Sequence, residues 1–266
     1  MLTPDRLDAT AAQTHAIAVA EAAGQILTDH FGRVTAHRKD DGTLVTAADH
    51  AADQYITAAI TATYPNHAIL SEERDTHYSP AARYTWVIDP LDGTTNFAHG
   101  LPLFGVSIAL LQDGLPIVGV LCFPLIHETY HARAGGGAFC NGARLTTDPT
   151  ALPDSQNFLM QCTRTPRRYT IQSPLKPRIL GSAAYHLAAV ATGTALAAVE
   201  ATPKVWDLAA ACLIVQEAGG VIRGLSQPRL FPLAPIARDY QIIPMPLVAA
   251  ANEACLELVL SGMELR

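Results

Sequence analysis

Apolar positions recur at helical spacing over residues 7–30, with Ile17, Ala20, Gly24 and Leu27 on one stripe and Gly32 as a stop. A second helical pattern over residues 49–64 halts at Pro65, and the polar run Lys39-Asp40-Asp41-Gly42-Thr43 between the two predicts a loop. The period then shortens. Residues 68–70 and 85–88 read as strands, each leading straight into carboxylates. Residues 107–112 and 115–123 flank Asp113-Gly114, a dipeptide suited to a two-residue hairpin turn. Residues 129–134 and the turn Asn141-Gly142 extend this antiparallel stretch. Helical character returns at 183–191 and at 208–218, which Gly219-Gly220 closes, and again after the cap residue Asn252. The proline-rich residues 227–246 predict an irregular surface excursion. No internal repeat or low-complexity linker occurs. A boundary near residue 150 separates an N-terminal α+β half (1–150) from a C-terminal α/β half (151–266), expected to form one compact unit.

Composition narrows the class. Of 266 residues, 49% are hydrophobic and 16% charged, enough for a sizeable core and unlike a disordered chain. The formal net charge of −6 argues against general nucleic-acid or anionic-membrane binding, because no basic surplus offsets phosphate repulsion. Bound cations would be needed to accept a phosphorylated substrate. The five cysteines are scattered, without a C-x-x-C pair, and read as reduced thiols of a cytoplasmic protein. No signal peptide or bilayer-length apolar run is present; residues 183–199 come closest and are broken by His186, Thr192, Gly193 and Thr194.

The segment Trp86-Val-Ile-Asp89-Pro90-Leu91-Asp92-Gly93-Thr94-Thr95-Asn96-Phe97 is the most informative. An apolar strand delivers two carboxylates three residues apart, with a proline fixing the backbone between them. Gly93 permits a tight turn, and Thr94-Thr95 can open a short helix whose free N–H groups would seat a phosphate beside hard oxygen ligands for magnesium. A single D-G-T is commonly just a helix cap. Likewise Glu72-Glu73 alone would be a solvated pair, and Asp207 after Trp206 alone an N-cap. Their joint placement at strand and helix ends, where α/β proteins build sites, is what points to chemistry.

These residues resemble the inositol monophosphatase family, within the lithium-sensitive phosphatase superfamily that includes fructose-bisphosphatases. The matching pieces are Leu44-Val-Thr46-Ala-Ala-Asp49, Ser71-Glu72-Glu73, Trp86 through Phe97, Gly135-Gly-Gly-Ala-Phe139-Cys-Asn-Gly142, Gly181-Ser182-Ala-Ala184, and Trp206-Asp207 followed by Glu217-Ala-Gly-Gly220. They occur in family order over roughly residues 5–260.

The resemblance implies a layered αβαβα sandwich of the inositol monophosphatase/fructose-1,6-bisphosphatase type, usually a homodimer, using two or three Mg²⁺ ions. It assigns Glu72, Asp89 and the Leu91 carbonyl to one ion and Asp89, Asp92 and Asp207 to another, with Glu72 sharing a weaker third. Thr95, hydrogen-bonded to Asp49, would orient water beside Glu72. The Gly93 and Thr94 N–H groups would hold the phosphate. Glu200 would grip substrate hydroxyls, Gly181, Ser182 and Ala183 would line the same pocket, and Lys39 would be the basic residue of a mobile metal loop. The implied activity is hydrolysis of a small sugar or polyol phosphate, with inositol 1-phosphate first. Alternatives are fructose 1,6-bisphosphate, histidinol phosphate, or a non-catalytic regulatory role. Thr95-Asn96 favours the polyol reading, because nucleotide and histidinol-phosphate members tend to carry a basic residue there. Two departures stand out: Ser71 replaces the usual glycine, and Lys204 precedes Trp206, either facing the pocket or solvated.

His127-Glu128-Thr129-Tyr130-His131 spells a zinc-protease pattern. Its flanks have strand character, and residues four apart on a strand lie about 13 Å apart. They could not share one zinc ion.

Overall fold

The computed structural model describes residues 7–33, 36–38 and 44–266. The first helix, α1 (Ala9–His30), starts at Asp8, whose carboxylate accepts the free N–H groups of Thr10 and Ala11. Its inner face is built of small residues, Ala12, Ala16, Ala20, Ala23 and Gly24, with Val19 and Leu27. This lets the backbone ride close to the sheet beneath. α2 (Ala47–Thr63) begins two residues earlier than the sequence pattern suggests. A reciprocal cap explains this: Thr46 accepts the Ala48 N–H while Asp49 accepts the Thr46 N–H and hydroxyl, each at 2.7 Å.

Both helices cover one face of a seven-stranded sheet. Its strands are β1 (Ala68–Ser71), β2 (Tyr84–Asp92), β3 (Gly105–Gln112), β4 (Leu115–Phe123), β5 (Glu128–Arg133), β6 (Gly137–Cys140) and β7 (Ala143–Leu145), in spatial order β7-β6-β5-β4-β3-β2-β1. All neighbours run antiparallel except β1 and β2. The alternation along β2 to β4 sorts the core. Trp86, Ile88, Ile108, Leu110, Val118 and Val120 pack toward α1 and α2, while Val87, Ala109, Leu111, Leu121 and Phe123 pack toward the other side.

That other side meets α5 (Ala183–Ala191) and α6 (Val205–Glu217), reached after two short helices, α3 (Thr94–Ala98) and α4 (Thr165–Arg168). Behind them lies a five-stranded sheet of β8 (Phe158–Gln161), β9 (Lys176–Arg178), β10 (Ala197–Glu200), β11 (Val221–Gly224) and β12 (Leu247–Ala250), in order β9-β8-β10-β12-β11. α7 (Glu253–Ser261) closes its far face, packing Cys255, Leu256 and Val259 over Val248 and Ala250. Helices, sheet, helices, sheet, helix: the layering is the expected αβαβα sandwich. α6 is apolar on nearly every side because it is clamped between layers, and the fit is tight. A Cβ on Gly119 of β4 would lie 2.8 Å from the Ala210 carbonyl oxygen and 2.9 Å from its Cα.

The strand Glu128–Arg133 confirms that His127 and His131 share no helical face; His131 stacks on Phe139. The glycine run at 135–137 is a turn, held by the Glu217 carboxylate, which accepts the Gly135 and Gly137 N–H groups at 2.7 Å each. No described helix is long and apolar enough to cross a membrane.

Candidate active site

The geometry starts from strand register. Ser71 pairs with Ile88 across the parallel β1–β2 ladder, so Glu72 leaves β1 beside Asp89, with its N–H on the Ile88 carbonyl at 3.2 Å. On the other flank, Asp89 pairs with Ser107 and Asp92 with Gly105. Three steps on β2 therefore match two on β3, and the bulge at Pro90-Leu91 absorbs one residue. Without it, residues 89 and 92 would face opposite sides of the sheet. The bulge turns both carboxylates toward one cleft.

Ser107 also recruits the third element. Its hydroxyl donates to the Trp206 carbonyl at 2.9 Å, fastening the start of α6 next to Asp89. Asp207 sits at the third position of that helix and accepts the Lys204 N–H at 2.8 Å. As a result, carboxylate oxygens of Glu72, Asp89 and Asp207 lie within 4.8 Å of one another. Asp92 lines the same cleft, its Oδ2 accepting the Ser182 hydroxyl and the Ala184 N–H at 3.0 Å. The Glu72 turn is anchored from below. Buried Asp53 of α2 accepts the Ser71 hydroxyl at 2.5 Å and pairs with the Arg74 guanidinium, and Ser71 Oγ accepts the Glu73 N–H at 3.3 Å. Ser71 at the family's glycine position thus contributes an anchor.

Electrostatics show what the cluster needs. Burial, then the charges of Glu72, Asp207 and Asp92, hold Asp89 well above the usual carboxylate range, against one stabilising hydrogen bond from the Leu91 N–H at 2.9 Å. Burial, then Asp92 and Glu72, do the same to Asp207. Burial also raises Asp92 and Asp49. Crowded, buried oxygen donors that raise one another are the donor set of a hard divalent ion such as Mg²⁺.

One expectation needs correcting. The hydroxyl that reaches Asp49 belongs to Thr94, not Thr95: Thr94 Oγ1 lies 3.4 Å from Asp49 Oδ1 and 3.0 Å from the Leu91 carbonyl. The physical reason is the left-handed Gly93, φ 89°, which caps α3 and swings its first residue back toward α2. Thr95 is exposed and faces the cavity. Lys39 lies outside the described residues.

Leu91, Gly93, Thr94 and Gly181 line a cavity of about 500 Å³ together with the four acids, and Arg38 and Arg164 join them. An adjoining cavity of about 530 Å³ shares Asp92, Thr95, Arg164, Gly181 and Asp207 and adds Ser182, Ala183, His186, Glu200 and Cys162. The sequence thus names about half of the cavity walls; His186, Cys162 and Arg164 are among the residues it missed. No spacing signal marks them, because they meet the site only through the α5–β10 and β8–α4 crossings. Lys204 lies outside both linings, its ammonium donating to the Gln241 carbonyl.

Glu200 ends β10 almost wholly buried, and His186 Nδ1 lies 2.6 Å from its Oε1. Burial pushes Glu200 up to about 8 and His186 down to about 4. Gly181 is required by its surroundings: φ is +82°, and a Cβ would sit 2.5 Å from Asn96 Oδ1. Asn96 in turn donates to the Leu103 and Leu180 carbonyls, both at 2.7 Å, tying α3 to the second cavity.

Known proteins repeat this arrangement of sequence and fold. Histidinol-phosphatase of Chlorobaculum parvum is 37% identical over 219 residues, 77% of this chain and 82% of the relative. Inositol-1-monophosphatase of Mesorhizobium japonicum is 37% identical over 218 residues, 75% and 80% of the two chains. A solved inositol monophosphatase of Thermotoga maritima superposes with a TM-score of 0.77 at 28% identity, over 93% of this chain and 96% of that one. The sequence pattern of the inositol monophosphatase family matches residues 8–257, so the chain belongs to that family of metal-dependent phosphatases.

Proposed function

We propose that the protein hydrolyses a small sugar or polyol phosphate, inositol 1-phosphate foremost, by attack of water at the acidic cleft. That it is a phosphoric monoester hydrolase follows from its family and relatives. The finer reading rests on one observation: the Glu72–Asp89–Asp207 cluster opens into a second cavity walled by a buried acid, Glu200. Glu72, Asp89, the Leu91 carbonyl, Asp92 and Asp207 would hold two or three Mg²⁺ ions. When bound, such ions neutralise charge and make a hydroxide nucleophile available near neutral pH.

The chain's own groups do the rest. The Gly93 and Thr94 N–H groups, at a helix start, suit a phosphate oxygen. Thr94 has one hydroxyl proton and two acceptors, Asp49 and the Leu91 carbonyl. With that proton engaged, its oxygen is left to accept an O–H from water in the cleft and so to aim it. Asp49 is itself fixed by two bonds from Thr46. Gly181, Ser182 and Ala183 form the wall that the alcohol moiety meets, and Glu200 receives its hydroxyls.

Phosphate release should be measured with and without Mg²⁺ from inositol 1-phosphate, fructose 1,6-bisphosphate, histidinol phosphate and adenosine 3′,5′-bisphosphate. The reading requires Mg²⁺-dependent turnover with inositol 1-phosphate preferred; turnover on none of the four would sink it. Histidinol phosphate is the second reading, supported by the Chlorobaculum relative.

A further inference from the structure

His186 is buried on α5, 1% exposed, and is not required by the phosphate-side chemistry. Its two ring nitrogens have different partners. The Leu180 backbone N–H points at Nε2 at 3.0 Å, and a backbone N–H can only donate. Nε2 is therefore the unprotonated nitrogen. The proton of the neutral ring must sit on Nδ1, from which it is donated to Glu200 Oε1 at 2.6 Å. The tautomer follows from the chain itself.

We propose that His186 is a positioning residue for substrate recognition: it pins Oε1 of Glu200 and so turns the other carboxyl oxygen to the cavity, where it hydrogen-bonds a substrate hydroxyl. The inference rests on the reading of Glu200 as the acid that meets the alcohol moiety. Two further observations on Leu180 support it. Leu180, whose N–H sets the His186 tautomer, is a wall residue of that cavity, and its carbonyl is held by Asn96 Nδ2 at 2.7 Å. Asn96 lies two residues after Thr94, so one relay of hydrogen bonds runs from the phosphate side of the cleft through Leu180 and His186 to Glu200. The acid itself is only 1% exposed, which leaves its carboxyl group little freedom to rotate. A side chain this confined recognises a hydroxyl with little ordering cost on binding.

The relay predicts a defect in discrimination. Inositol 1-phosphate offers ring hydroxyls to Glu200, whereas p-nitrophenyl phosphate offers none. In His186→Leu, the ratio of kcat/KM for inositol 1-phosphate to that for p-nitrophenyl phosphate should fall about tenfold, chiefly through KM. His186→Asn, whose amide can replace the Nδ1–H donor, should recover most of it. Equal losses on both substrates, or an unchanged ratio, would overturn the proposal. A second measurement covers the case where His186→Leu does not fold or where the native enzyme ignores inositol 1-phosphate. In ¹⁵N-resolved NMR of the native protein near pH 7, the His186 ring must show a protonated Nδ1 and a bare Nε2. The Nε2–H tautomer or an imidazolium would refute the positioning role whatever the substrate. Loss of inositol 1-phosphate turnover with the Nδ1–H form intact would instead refute the substrate assignment alone.

Discussion

Thr94 and Thr95 are adjacent and identical, yet the fold gives them different tasks. Replacing Thr94 by Ala should cut kcat by roughly 100-fold, in the range of a lost proton-handling group. Thr95→Ala, at an exposed position, should change it by no more than about threefold; comparing the two kcat values checks the assignment. Asp92→Asn should leave the circular dichroism spectrum intact and lower turnover by at least about 100-fold, measured as phosphate release at saturating Mg²⁺. Sequence alone could not separate the two threonines, because the deciding fact is the left-handed Gly93 between strand and helix. Asp89, Asp92 and Asp207 were readable as acids at element ends. The His186–Glu200 bond was not, since its partners come from a helix and a strand fourteen positions apart.

At the level of elements, the sequence pattern misses the five strands of the second sheet, whereas the longer helices and the central strands of the first sheet follow from their periodicity. The bulge in β2 does not. Nothing in Asp89-Pro90-Leu91-Asp92 fixes where the extra residue is absorbed; pairing with β3 decides it. The start of α6 also shifts from the pattern, to Val205, because Ser107 and the Lys204 N–H set it. α6 carries Asp207 into the site only if it lies close on the sheet. Gly119→Ala should therefore do two things: destabilise the protein by about 1–3 kcal/mol through overpacking against Ala210, and weaken Mg²⁺ binding. Thermal unfolding and a Mg²⁺ titration followed calorimetrically measure the two effects. Normal Mg²⁺ affinity in a destabilised variant would show that the helix can shift without moving Asp207.

For the molecule as a whole, the raised carboxyls make stability depend on pH and on divalent ions together. Asp49, Asp89, Asp92 and Asp207 are raised from 3.8, and Glu200 is raised to about 8. Between the unfolded and folded values, the folded state holds more protons, so stability falls as pH rises. His186, lowered from 6.5 to about 4, and His131, lowered by burial, oppose this within that window, two groups against five. Without divalent ions, the melting temperature should fall between about pH 5 and about pH 8. Mg²⁺ should restore more of it at the upper end, and equal Mg²⁺ effects at both ends would count against the cluster as its site.

The position of Asp207 gives the cation a mechanical part as well. Glu72 follows the end of one strand of the first sheet and Asp89 flanks the bulge in its neighbour, while Asp207 rides on the helix wedged between the sheets. A cation held by all three would act as a removable staple across the long span of chain from position 72 to position 207, and such clips restrict the unfolded ensemble most when the loop they close is long. Chelation should therefore loosen the middle layer before the outer helices, making α6 the first buried segment open to proteases.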